Sequence, residues 1–71
     1  MGHWDRNDMC KTIESYAKSK GLSTRCLIAV DDDGSKTYVL IDGTKDEVLA
    51  DGQSAEQIGI RIDLIAAFGR L

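Results

Sequence analysis

One histidine, two cysteines and twelve carboxylates are the residues of this 71-residue chain whose chemistry could go beyond packing. Nucleophilic catalysis needs a Ser or Cys held against a base that is itself oriented by a third group. The sole base of that kind, His3, stands in the terminal stretch Met1-Gly2-His3-Trp4-Asp5, expected to be a flexible tail, so no positioned Ser-His-Asp or Cys-His pair is expected. A zinc site needs about four converging ligands; Cys10 and Cys26 are sixteen residues apart, outside any CxxC spacing. A free Met1-Gly2-His3 terminus can chelate copper through its amine and amides, but an incidental terminus is the favoured reading. Phosphate-cradling loops of the GxGxxG or Walker type do not occur. A calcium loop with Gly34 at its sixth position would need ligands at Ala29 and Leu40, and neither can supply one. Cys10 and Cys26 are read as small reduced core residues. The chain is therefore expected to be non-enzymatic, with no cofactor and no metal.

The acids are more informative by position than by number. The net charge is −3, yet residues 1–30 carry five bases against three acids, and residues 31–63 carry nine acids against three bases. An acidic balance removes the usual electrostatic drive toward nucleic acid. In an antiparallel meander, Asp31, Asp32, Asp33 and Asp51 would fall at one end of the sheet, with Glu56 near. That end reads either as a solvated turn that keeps the edge soluble or as a site for a basic partner.

The elements that must position these residues follow from periodicity. Met9, Ile13, Tyr16 and Ala17 mark one stripe of a helix over residues 5–20, stopped by Gly21-Leu22. Residues 24–31 alternate as a strand, Asp31-Asp32-Asp33-Gly34 is a turn, and residues 36–42 form a second strand. Glu47-Val48-Leu49-Ala50 is a short third strand. From Ile58 onward both a strand alternation and a helical stripe fit. Ser54 and Gln57, spaced as a capping box, favour a helix over residues 54–69. Gly59 inside that helix suggests a close backbone approach. The fold class is α+β, in the order α-β-β-β-α: a three-stranded antiparallel sheet with two helices on one face, a single domain over 1–71, and a flexible tail at 1–5.

This plan leaves apolar surface to spare. A domain of this size buries about 60% of its unfolded-chain surface, so its core is thin. Strand two carries Val39 and Ile41 on one face and Tyr38 and Leu40 on the other, and the helices can cover only one. In the last helix Ile60, Leu64, Ala67 and Leu71 lie away from the Ile58, Ile62 and Ile65 stripe, which Phe68 extends. Tyr38, Leu40, Ile60, Leu64 and Phe68, with the acidic Asp31, Asp32, Asp33 and Asp51, are the candidate partner-binding residues. A homodimer is expected.

The helix ending in Gly21-Leu22, then Leu40-Ile41-Asp42-Gly43, then Val48-Leu49-Ala50-Asp51-Gly52-Gln53-Ser54 leading into a helix, resembles the double-stranded-RNA-binding domain over residues 8–70. The resemblance implies that fold, and a Glu14 placed against the RNA minor groove. Two departures point the other way. The stretch matching the family's lysine cluster is Ser54-Ala55-Glu56-Gln57, and the loop matching its Gly-Pro-x-His element is Asp32-Asp33-Gly34-Ser35. Both would repel an RNA backbone, so the resemblance implies a copy used for protein contacts.

The expected function is thus a small protein-binding domain of the cytoplasm, since neither a signal peptide nor a membrane span is legible. Size and charge would suit a phage- or mobile-element-type inhibitor or adaptor. The alternative is nucleic-acid binding through a basic strip of Lys11, Lys18, Lys20 and Arg25.

Overall fold

The computed structural model describes residues 2–68. Strand β1 (His3–Asp5) is followed by helix α1 (Asp8–Ser19), strands β2 (Thr24–Val30), β3 (Lys36–Asp42) and β4 (Val48–Gly52), and helix α2 (Ala55–Ala67). The strands form one antiparallel sheet in the order β1-β2-β3-β4. The α+β class is as expected, but the sheet has four strands, not three. The residues expected to be a flexible tail supply the fourth: His3, Trp4 and Asp5 pair with Val30, Ala29 and Ile28. Three residues are too few to display a period, and this strand exists because β2 offers an open edge, a non-local cause.

Helix α1 begins three residues later than its stripe suggested. Asn7 is extended, and its side-chain oxygen accepts from the Cys10 N–H at 3.1 Å, which makes it the N-cap. At the other end Gly21 takes φ 87°, the Gly21 N–H donates to the Lys18 carbonyl at 2.9 Å, and the Leu22 N–H donates to Ala17 at 3.0 Å. This is the Schellman arrangement, and it folds the buried Leu22 back under the helix.

The turns are closed by aspartates. Gly34 at φ 89° and the bond from its N–H to Asp31 close the β2–β3 hairpin, while the Asp33 carboxylate accepts from Ser35. Asp42 accepts from the N–H groups of Thr44 and Lys45 at 2.7 and 3.2 Å, closing the β3–β4 turn. A bulge follows: Leu40 pairs with Ala50 but Ile41 with Val48, so Leu49 is an extra residue. It packs against the core.

The helical reading of the last segment holds. Ser54 accepts from the Gln57 N–H at 3.2 Å, and the Gln57 side chain reaches back to the Gln53 N–H at 2.7 Å. Both helices lie on one side of the sheet. Cys10, Ile13 and Ala17 of α1 and Ile58 and Ile62 of α2 enclose Cys26, Ile28, Val30 and Leu40. Gly59 does not mark a close approach: a Cβ placed on it would meet nothing within 4 Å. It borders a small apolar groove between the helices, lined by Met9, Tyr16 and Ile62 among others. No helix among the described residues is long and apolar enough to cross a membrane.

Candidate functional site

The register of the sheet decides which apolar residues are available to a partner. Cys26 stands opposite Leu40 and Ile28 opposite Tyr38, and this set faces the helices. Leu40 is 0% exposed and Tyr38 packs against the core. These two candidate partner residues are therefore corrected: on β3 the outward set is Val39 and Ile41. They stand opposite Leu27 and Arg25, with Trp4 beside Ala29 at one margin and Val48 beside Ile41 at the other. Among the described residues no element covers this outer face. Trp4 is 59% exposed and Val48 62%, whereas Val39, at the centre, is buried by its neighbours.

Helix α2 carries a second apolar surface. Ile60, Leu64 and Phe68 follow at four-residue spacing and are 57%, 44% and 79% exposed, the first two as their place on the helical wheel required. Buried Ile58 and Ile62 hold the opposite side of that helix to the sheet.

The acids do not converge on a cation site. Asp31, Asp32 and Asp33 share the hairpin turn, while Asp51 stands on β4 opposite Val39, on the outer sheet face. No group of three or more His, Cys, Asp or Glu residues fit to hold a metal occurs among the described residues. Hydrogen bonds from the Ser35 hydroxyl and N–H hold the Asp33 carboxyl below the usual range. Its role is to close the turn.

The expected basic strip divides in two. Lys20 lies 3.9 Å from the Asp63 carboxylate and stacks over the Tyr16 ring, whose hydroxyl donates to the same carboxylate. That hydrogen bond raises the Tyr16 pKa. Arg25 pairs with Asp46 across the sheet end. Lys11 and Lys18 instead line an open groove of about 600 Å³ beside the start of β2.

The most elaborate polar arrangement was missed from sequence. Arg6 grips Glu14 with two bonds, Nη1 to Oε2 at 2.5 Å and Nη2 to Oε1 at 2.7 Å. Glu14 Oε2 also accepts from the Cys26 N–H at 2.7 Å, and Arg6 Nη1 donates to the Cys26 carbonyl at 3.1 Å. β1 ends opposite Ile28, so the outward backbone groups of Cys26 have no strand to meet. The ion pair takes that strand's place. Arg6 holds the Glu14 carboxyl below its ordinary value, and Glu14 in turn raises Arg6. Glu14 thus has a structural engagement at the edge of the sheet. A signal did exist: Glu14 is four residues from the buried Cys10 on one side of α1, a costly place for a carboxylate without a partner.

Beneath this pair the Cys10 and Cys26 thiols are both buried and unbridged. Burial, and then the hydrogen bond with Cys10, pushes the Cys26 thiol up to about 12. A thiol that stays protonated at neutral pH is a poor nucleophile.

A scan against protein-family models and searches of curated proteins and of solved structures returned no match.

Proposed function

We propose that this chain is a non-enzymatic protein-binding domain whose partner, in the first instance a second copy of itself, seats on the outer face of the sheet. The observation that carries this reading is the apolar run Trp4, Leu27, Ala29, Ile41 and Val48 around the buried Val39, on a face with no covering element among the described residues. Contiguous apolar surface of this kind costs free energy in water and is recovered by association. Four strands about 4.8 Å apart and roughly five residues long offer a projected face on the order of 300 Å². Stable interfaces bury roughly 800 Å² per partner. A dimer on this face alone is therefore weak, and the Ile60, Leu64 and Phe68 stripe, on the side of α2 turned away from the sheet, is a separate second contact surface.

The test is absolute mass by light scattering across protein concentration, for the parent chain and for Val48→Lys and Ile60→Lys. Concentration-dependent dimerisation abolished by Val48→Lys supports the sheet face. A monomer at all concentrations removes self-association. A dimer lost with Ile60→Lys and kept with Val48→Lys moves the contact to α2.

A second reading, nucleic-acid binding, rests on Lys11 and Lys18 alone of the original strip, since Lys20 and Arg25 are engaged with Asp63 and Asp46. A gel shift with duplex RNA or DNA at low salt tests it. No shift at tens of micromolar protein, on the order of typical non-specific affinity, ends it.

A further inference from the structure

The missing half of β1 leaves more than Cys26 without a neighbouring strand. β1 meets only the second half of β2, Ile28 to Val30. In an antiparallel ladder the backbone groups of alternate residues point the same way. The Cys26 N–H and carbonyl point outward to Glu14 and Arg6, whereas the Ser23 carbonyl points to β3, accepting from Gly43 at 2.9 Å. The N–H and carbonyl of Thr24 therefore point outward too, into the stretch where no strand lies. They face the groove of about 600 Å³ that Lys11, Ser15 and Lys18 of α1 wall on one side and Ser23 and Thr24 on the other. Lys11, Ser15 and Lys18 are spaced at i, i+4 and i+7, so one face of α1 presents two ammonium groups and a hydroxyl along it. The Thr24 hydroxyl oxygen itself is buried and without a hydrogen-bond partner among the described residues. The acid on the wall, Glu14, is already neutralised by Arg6.

We propose that this groove binds an extended acidic peptide segment, which adds to the β2 edge at Thr24 as the strand that β1 fails to supply. Edge addition accounts for the backbone groups: an extended peptide offers an N–H and a carbonyl at the spacing Thr24 requires, whereas the phosphates of a nucleic acid offer acceptors only. Lys11 and Lys18 select carboxylates on that peptide. The site is separate from the outer sheet face, and it stands whether or not the chain dimerises there.

Amide chemical-shift titration of the full chain tests it, using acetyl-Glu-Val-Glu-Val-Glu-amide as the probe. Saturable shifts at Thr24, Ser23, Ser15 and Lys18 are expected. Lys11→Glu combined with Lys18→Glu weakens binding roughly tenfold or more, by charge reversal at two exposed positions. The same peptide N-methylated at every amide should lose binding, because it cannot donate to the Thr24 carbonyl. Equal binding of the methylated peptide would reduce the site to unspecific charge attraction and overturn the proposal. So would the absence of a shift at Thr24 at millimolar peptide. Shifts at these residues with single-stranded or duplex RNA, and none with the peptide, would give the groove to nucleic acid instead.

Discussion

On the inner side of the sheet, Cys26, Ile28 and Leu40 lie fully buried beneath two helices, while one residue along each strand Leu27, Ala29, Val39 and Ile41 look the other way toward Trp4 and Val48. The residue types on the two faces are nearly the same. What differs is the cover, and the cover comes from α1 and α2, which both pack on the same side of the sheet. A half-buried sheet normally alternates apolar with polar residues. β2 and β3 depart from that rule through their middle, which is the mark of strands expecting cover on both sides. Physical inequality between two chemically similar faces is therefore what makes one a core and the other a surface.

The sharpest way to break the comparison is to substitute one residue on each face. Leu40→Ala should cost about 3 kcal/mol, since a fully buried Leu loses both transfer free energy and packing. Val48→Lys on the outer margin should stay within about 0.5 kcal/mol. Urea denaturation of the two variants measures both, and a comparable loss for Val48→Lys would mean that the outer face is as structural as the inner one.

Glu14→Ala comes next, at about 1–2 kcal/mol, because it leaves the Cys26 N–H without its acceptor. Chemical denaturation beside Glu14→Gln, which keeps an acceptor oxygen, separates the hydrogen bond from the charge. The pH dependence has a definite sign. The folded Glu14 pKa is depressed by Arg6 below its ordinary 4.5, so its contribution is complete above about pH 5 and is lost as pH falls through the folded value. Thermal melts between pH 6 and 3 should fall less steeply for Glu14→Gln than for the parent chain.

The smallest effect concerns the cover itself. Gly59→Ala should stabilise by roughly 0.5–1 kcal/mol, since alanine favours the helix and a Cβ there meets no neighbour within 4 Å. A melting temperature that fails to rise would mean that the groove between α1 and α2 must stay open.

Local signals made most of the fold legible. The Ser54–Gln57 cap outweighed the strand-like alternation that follows it, and Gly21-Leu22 ended α1 as its chemistry required. β1 was not legible, because its cause is the unpaired edge of a strand more than twenty residues away. The choice of inner face could not be read either, since alternation is apolar in both phases of β3 and only helix docking breaks the tie. That is why Leu40 was placed at a surface and Val39 and Ile41 were not. For the candidate surfaces, Ile60 and Leu64 could be placed by helical geometry alone. Arg6 could not, because its partners are set by where β1 stops.

The abrupt end of β1 also bears on how copies of this chain can assemble. A sheet grows into fibres by adding long strands along its rims, and each rim here has room for a short one only. One rim is three residues long, after which Arg6 folds inward to occupy the backbone of Cys26. The other is interrupted by the bulge at Leu49 and carries the charge of Asp51. Lateral polymerisation is thereby discouraged at both sides. The association proposed for the outer face would instead stack sheet on sheet, and under a two-fold axis it would close at two copies. The shape of the rims thus favours a finite particle over an open-ended one, in a chain rich enough in exposed apolar residues to aggregate otherwise.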